Sequence, residues 1–178
     1  MRLSVSLVIL LLVTSYTCPA AEKPKAGGPV AGGLAPSFAL LDVQGEQHRL
    51  NDWKGRIVVL NFWAFWCDTW KEEMPHLREL AEREKDLGFK LVCISVDGTR
   101  LPEFRRRAGA PVPWPVLLDV GGRVSRQYKI AHVPTVVIVD AHGRVRTIAE
   151  GYPGNHAVLR EVARLHRKPA QKAEQSRD

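Results

Sequence analysis

Two apolar segments separated by one helical stretch place the strongest constraint on the fold of this chain. Residues 56–62 (RIVVLNF) and 89–96 (FKLVCISV) are continuous β-branched and apolar runs, typical of strands buried on both faces. Residues 69–87 between them have a helical pattern and are followed by Gly88, a residue favoured just after a helix C-terminus. A right-handed crossover through that helix makes the two strands parallel. We therefore expect a layered α/β domain.

Shorter elements on either side complete the expected architecture. Short apolar runs around a glycine-containing turn indicate one hairpin near the N-terminus and one near the C-terminus. The predicted fold class is α/β, with a central mixed sheet flanked by helices and an N-terminal hairpin. The other predicted elements are strands at 38–41 and 47–50 around Gln44-Gly45, a basic helix at 101–108, an extended piece at 115–118, a helix at 123–130, strands at 135–139 and 144–149, and a closing helix that Asn155 caps and that ends near His166.

The first twenty residues have the composition of an export signal. A basic start precedes the apolar run at residues 3–13, which is shorter than the roughly 20 residues of a membrane-spanning helix. Cleavage after Ala20 gives an exported, periplasmic or otherwise extracytoplasmic protein, while an uncleaved membrane anchor and lipid attachment at Cys18 are the alternatives. The expected organisation is a signal peptide at 1–20, a linker at 21–34, the domain at 35–166 and a charged tail at 167–178.

Charge and cysteine content exclude several classes of protein. Lys and Arg outnumber Asp and Glu by 26 to 19, a formal net charge of +7, but the basic residues are spread along the chain without a nucleic-acid-binding motif. Three cysteines are too few for a disulfide scaffold or a four-thiolate zinc site, and the six histidines have no paired spacing. We therefore expect no nucleic-acid partner, no metal and no cofactor.

Three segments of the chain resemble those of a known family. Residues 58–67 (VVLNFWAFWC) with 71–75 (KEEMP), residues 91–97 (LVCISVD), and Val133-Pro134-Thr135 are similar to the landmarks of exported TlpA/ResA proteins, within the wider redoxin (AhpC/TSA-like) superfamily. The resemblance implies a thioredoxin-like fold, a cis bond before Pro134 and thiol–disulfide exchange with polypeptide thiols or disulfides. A membrane redox partner or a low-molecular-weight thiol is a further implied partner, and a monomer is expected.

The chain departs from the family at the catalytic pair. The family's motif is Trp-Cys-x-x-Cys, whereas this sequence has Trp66-Cys67-Asp68-Thr69-Trp70. Trp70 thus stands where the resolving cysteine is expected. Turnover in such proteins uses two thiols, because the second releases the mixed disulfide that the first has formed. The ordinary dithiol cycle is therefore not available to this chain.

The candidate catalytic residues are Cys67, Glu73 and Pro134. Cys67 precedes a helix, whose dipole favours a thiolate, although the neighbouring aromatic residues favour the neutral thiol. The resemblance places a glutamate at the position of Glu73, which makes it the candidate acid/base, with an ordinary solvated glutamate as the alternative. It also places Pro134 opposite Cys67, where it would position a partner disulfide.

The candidate substrate-binding residues are Trp66, Trp70 and Val133. Trp70 is either a core filler in the apolar stripe of its helix or part of a hydrophobic platform for partner polypeptides. The Val133 backbone would pair with an extended partner segment. His132 is a weaker candidate for the same groove. Cys93 is expected to be an inert core thiol, with a substitute resolving thiol as the alternative.

Two function hypotheses follow from these residues. The first is an exported thiol–disulfide oxidoreductase-like protein that forms mixed disulfides through a single cysteine. The second is a redox-inactive thioredoxin-fold module that binds polypeptides. Peroxidase chemistry is disfavoured because Ala64 replaces the threonine of peroxiredoxins, and copper delivery is disfavoured because Trp70 removes one thiol ligand.

Overall fold

The computed structural model describes residues 31–98 and 111–174, with the backbone alone for 168–174. The predicted signal segment at 1–20 and the predicted helix at 101–108 lie outside the described residues. Among the helices that are described, none is both long enough and apolar enough to cross a membrane.

Residues 31–98 and 111–174 contain a two-stranded hairpin and a five-stranded mixed sheet. The strands are β1 Ala39–Leu41, β2 Gln47–Arg49, β3 Ile57–Trp63, β4 Phe89–Ser95, β5 Val116–Leu118, β6 Thr135–Val139 and β7 Val145–Glu150. The hairpin pairs β1 with β2 and the sheet has the order β5-β4-β3-β6-β7. β3 and β4 are parallel, as predicted, with Asn61 opposite Cys93. β6 and β7 are antiparallel to their neighbours, which gives the sheet the predicted mixed character.

The described residues also form four helices and a short 3-10 helix. They are α1 Thr69–Glu82, α2 Glu84–Leu87, α3 Arg123–Gln127 and α4 Asn155–Glu174, with the 3-10 helix at Leu50–Trp53. The single helix predicted at 69–87 is divided at Arg83, because the Arg83 N–H bonds to the Leu80 carbonyl three residues back. It ends at Gly88 as predicted, with φ 64°. α4 passes its predicted end near His166 because residues 170–174 (AQKAE) are strong helix formers.

The central sheet has a buried core on each face. Side chains along β3 alternate between the two faces, so that Val59 and Trp63 pack with α1 and α4 residues such as Val162. Leu60 and Phe62 belong to the other core, which includes the 3-10 helix and α3. Because both faces are covered, β3 has the continuous apolar sequence from which it was predicted.

Asn155 begins α4, but its side chain contacts α1. Its Nδ2 donates to the His76 carbonyl at 2.9 Å and to Glu79 Oε2 at 2.8 Å. Its Oδ1 accepts a hydrogen bond from the Tyr152 hydroxyl. The residue predicted as a helix cap therefore also joins the two helices on one face of the sheet.

Gly98, just after β4, has the tightest surroundings of the glycines that the structure describes. We expect Gly98→Ala to destabilise the protein by about 1–3 kcal/mol, because the added Cβ meets the Val120 backbone in addition to the strain of a left-handed non-glycine residue. Its φ is +52°, and an added Cβ would lie 2.8 Å from the Val120 Cα and N atoms. Urea unfolding measures the loss. Gly143→Ala is the control, since Gly143 has φ +76° with nothing within 4 Å of its added Cβ. Equal losses in the two variants would contradict the steric argument.

Candidate active site

The loop between β3 and α1 is held by the carboxylate of Asp97. The Phe65 N–H donates to Asp97 Oδ2 at 2.8 Å, and the Ser95 hydroxyl donates to Asp97 Oδ1. The Val96 N–H donates to the Trp63 carbonyl at 2.9 Å. The carboxyl ends of two parallel strands are thereby joined at the edge of the sheet where ligands of open α/β folds bind.

Cys67 lies in this loop, two residues before the start of α1. Its side chain is partly exposed. The Sγ atom lies 3.1 Å from Thr69 Oγ1 and 3.6 Å from the Val133 carbonyl oxygen. The structure therefore brings Cys67 and Val133 together, as expected from the resemblance.

The loop opposite Cys67 is fixed by short contacts with its neighbours. The Val133–Pro134 peptide bond is cis, which confirms the prediction. The Pro134 carbonyl accepts a hydrogen bond from the Gly151 N–H at 2.7 Å. Thr135 Oγ1 donates to the His132 carbonyl at 2.7 Å, and the His132 side chain is exposed. The Val133 carbonyl consequently faces the thiol from a well-anchored backbone.

The two tryptophans beside Cys67 have opposite environments. Trp66 is 64% exposed, whereas Trp70 is 5% exposed. The Trp70 indole packs on Phe65 and Trp63, with ring centroids 5.5 and 6.0 Å apart. This burial favours the interpretation of Trp70 as a core filler over a ring that contacts partners directly. Trp66 is the tryptophan at this site that has surface for contact.

Glu73 is buried one helical turn after Thr69. The side chain is 5% exposed, and Asn61 Nδ2 donates to Glu73 Oε2 at 3.4 Å. Burial raises the pKa of Glu73 above its usual value, and hydrogen bonds from Asn61 and Thr69 oppose that rise only in part. The alternative of an ordinary solvated glutamate does not fit this burial, whereas its neighbour Glu72 is exposed.

Cys93 is buried in β4 beside Asn61. Its side chain is 2% exposed, and burial raises the pKa of the thiol far above its usual value. The thiolate needed for attack on a disulfide is therefore disfavoured. These properties support the expected inert core thiol over a substitute resolving thiol.

Thr69 and Asp97 are residues that sequence reasoning did not assign to the site. In the sequence, Asp97 is only the end of a strand-like segment, and Thr69 is only the first residue of a helical pattern. The spacing of Thr69, two residues after Cys67 and four before Glu73, is the signal that could have found it, since residues four apart on a helix are neighbours. The contact between Thr69 Oγ1 and Cys67 Sγ was not deducible from the sequence.

Asp42, Glu46 and His48 place possible metal-ligating atoms within 4.8 Å of one another in the part of the chain that the structure describes. His48 Nε2 lies 2.8 Å from Asp42 Oδ2. The other Asp42 oxygen accepts from the backbone N–H groups of Gln44 and Glu46. These contacts explain the cluster as the closure of the β1–β2 turn.

The chain is similar in sequence to known redox proteins. Residues 31–148 match the model of the AhpC/TSA family. The thiol-disulfide oxidoreductase ResA of Geobacillus kaustophilus is 34% identical over 155 residues, covering 85% of this chain and 86% of the relative. The ResA protein of Oceanobacillus iheyensis is 32% identical over 152 residues, covering 82% of this chain and 79% of the relative.

Solved structures of thiol–disulfide proteins are also similar to this chain. A putative thiol:disulfide interchange protein DsbE from Chlorobium tepidum is 26% identical with a TM-score of 0.70, covering 78% of this chain and 99% of that one. The exposed lipoprotein thioredoxin Etrx1 of Streptococcus pneumoniae is 26% identical with a TM-score of 0.65, covering 73% of this chain and 100% of that one. These similarities confirm the predicted thioredoxin-like fold and the predicted resemblance.

Glu73 should make stability depend on pH. Its pKa is raised in the folded protein, so its stabilising contribution is full below the unfolded pKa and is lost as pH rises through the folded pKa. In Glu73→Gln, the side chain at this position carries no charge at any pH. The variant should therefore match the parent at about pH 4 and exceed its free energy of unfolding at pH 7, by about 1.4 kcal/mol for each pH unit of the rise in pKa.

Urea unfolding at a series of pH values measures this difference. Glu72→Gln is the matched control, because Glu72 is an exposed neighbour on the same helix. The interpretation is wrong if the two variants differ from the parent by the same amount at each pH.

Proposed function

The chain belongs to the AhpC/TSA family and has a thiol–disulfide oxidoreductase-like role, and from this premise we propose that it is exported and forms mixed disulfides through one active-site cysteine. The observation that carries the proposal is the position of Cys67. Its Sγ is partly exposed and lies 3.6 Å from the Val133 carbonyl in the cis-proline loop. A partner disulfide that enters beside this loop meets a thiol already placed for attack.

The reaction has two steps. The Cys67 thiolate attacks one sulfur of a partner disulfide, a Cys67–partner disulfide forms, and the partner's other sulfur leaves as a thiolate. Because Trp70 has no thiol, an outside thiol then attacks the partner sulfur of the mixed disulfide. Cys67 leaves as the thiolate, and the outside thiol becomes joined to the partner. A low-molecular-weight thiol or a membrane redox partner supplies this second thiol.

Glu73 and Thr69 handle the protons of these steps. Glu73 keeps its proton to a higher pH than an ordinary glutamate and can give it to a departing thiolate. The Thr69 hydroxyl, 3.1 Å from Cys67 Sγ, also forms a hydrogen bond that favours ionised Glu73. A hydroxyl that both donates and accepts can connect the two groups. Thr69 thus acts as the relay between the thiol and the buried carboxyl.

The partner is a polypeptide thiol or disulfide. The exposed Trp66 ring beside Cys67 offers an apolar contact, and the backbone at Val133 pairs with an extended partner segment. Pro134 fixes the orientation of that backbone. The protein acts as a monomer outside the cytoplasm, with residues 1–20 as its export signal, 21–34 as a linker, 35–166 as the domain and 167–178 as a tail.

A redox-inactive polypeptide-binding module is the second candidate. The exposed Trp66 favours it, because an apolar surface at the same edge of the sheet can bind polypeptides without any thiol chemistry. The two candidates differ in what they require of Cys67.

Alkylation of the folded protein near neutral pH separates the candidates. Under the proposed function, iodoacetamide should modify Cys67 at least about tenfold faster than Cys93, because Cys93 is buried and its thiolate is disfavoured. Peptide mapping by mass spectrometry assigns each modified thiol, including Cys18 in the full chain. Cys67→Ser is the control and should remove the fast phase. Equally slow modification of Cys67 and Cys93 would favour the binding module.

Trp70→Cys should restore an intramolecular disulfide. The introduced thiol stands three residues after Cys67, the spacing of the family's pair. We expect the oxidised variant to lose two hydrogens in mass spectrometry, whereas the parent should keep its mass. The variant should also release a reduced partner without joining an outside thiol to it, because its release step is intramolecular.

Removing the buried Trp70 ring is expected to cost about 3–5 kcal/mol, so Trp70→Ser serves as the matched control with the same loss of volume and no thiol. A Trp70→Cys variant that folds as well as Trp70→Ser but forms no bridge would show that Asp68-Thr69 also prevents the pair from closing. That result would contradict the idea that the resolving thiol alone is missing.

A further inference from the structure

A small cavity lies below the candidate active site, between α1 and the sheet. Trp70 and Glu73 line it from α1, Asn61 from β3 and Cys93 from β4, with Trp114 beside them. Its volume is about 10 Å³. This is close to the space that one water molecule needs.

Two buried polar atoms on the cavity lining lack a partner. Trp70 Nε1 and Asn61 Oδ1 have no hydrogen-bond partner among the residues that the structure describes. The two side chains are only 5% and 1% exposed. A buried donor or acceptor that remains unpaired is costly, and most such groups in folded proteins are satisfied by protein atoms or by an ordered water. One is a donor and the other an acceptor, so a single water can satisfy both.

We propose that this cavity binds one water, which accepts a hydrogen bond from the Trp70 indole N–H and donates to Asn61 Oδ1 and to the Glu73 carboxylate. Trp70 is then a positioning residue for Glu73, acting through the water. The proposal rests on the acid/base role given to Glu73 in the proposed function. Under this proposal, Trp70, which stands where the family has its second cysteine, takes part in the chemistry of the site.

The same water fits both protonation states of Glu73. It has two hydrogens and two lone pairs, which match one donor, one amide oxygen and one carboxylate. When Glu73 is protonated, its hydroxyl donates to the water, and the bonds to Trp70 and Asn61 remain. The network therefore accommodates transfer of a proton without leaving a buried polar atom unpaired.

The charged and titratable neighbours of Glu73 do not replace this contact. Glu72 raises and His76 lowers the pKa of Glu73 from its own helix. Cys93 from β4 and Tyr152 from the segment after β7 also interact with Glu73, and burial keeps both of these groups neutral at ordinary pH. Asn61 and Thr69 already donate to Glu73, and a further donor on the cavity side adds to their stabilisation of the ionised carboxylate.

Trp70→Phe tests the proposal by removing the donor while keeping an aromatic ring. Trp114→Phe is the matched control, because Trp114 is also buried, lines the same cavity and loses the same ring atoms. The titration midpoint of the Glu73 side-chain carboxyl is followed by carbon-13 NMR. We expect it to rise by about one pH unit in Trp70→Phe and to stay near the parent value in Trp114→Phe. Equal midpoints in the two variants would overturn the proposal.

A second measurement on the parent does not depend on how well the variant folds. The Trp70 indole N–H should show a rotating-frame Overhauser cross-peak to a long-lived water, and absence of that cross-peak overturns the proposal.

A separate experiment, the alkylation of Cys67 in Glu73→Gln, tests the proposed function. If Glu73→Gln leaves the pH profile of Cys67 alkylation unchanged, the acid/base role of Glu73 is wrong, whatever the water contact shows.

Discussion

The position of the Cys67 thiol depends on how Asp97 holds the loop after β3. One carboxylate oxygen accepts the Phe65 N–H and the other accepts the Ser95 hydroxyl, so a single side chain joins the ends of β3 and β4. This contact is possible because neighbouring parallel strands end at the same edge of the sheet, so the loops that follow them lie close together. Because Phe65 is held in place, Cys67, two residues later, lies next to the Val133 carbonyl. The helix α1 then begins at Thr69 and packs on the core.

The buried carboxyl of Glu73 is the second physical feature of this edge. A group that prefers water is held between α1 and the sheet with Asn61 as its nearby donor. Such a placement costs stability whenever the carboxyl is ionised, because charge is poorly solvated there. Titratable groups shifted in this way are concentrated at functional sites. Under the proposed function, the contact between Thr69 and Cys67 connects this carboxyl to the thiol.

Trp70 supports the loop of Cys67 but supplies no thiol. Its ring completes the packing with Phe65 and Trp63, so the loop that holds Cys67 stays supported. A site with one thiol lacks the intramolecular release step of a two-thiol site. Under the proposed function, the lifetime of the mixed disulfide therefore depends on an outside thiol.

The sequence by itself determined the order of the main strands and helices, the parallel pair, both hairpins and the proximity of Cys67 to the proline loop. Apolar runs, glycine positions and a family-like motif carry that information locally along the chain. Tertiary structure alone decided that Trp70 turns inward while Trp66 turns outward, that Glu73 is buried, and that Thr69 and Asp97 contact the loop of Cys67. The division at Arg83 was also invisible in the helical pattern. The physical reason is that burial and hydrogen bonding at this edge depend on side chains from β3, β4 and α1 meeting in space. The contact between Phe65 and Asp97, for example, joins residues that are 32 apart along the chain, and a local pattern does not show it.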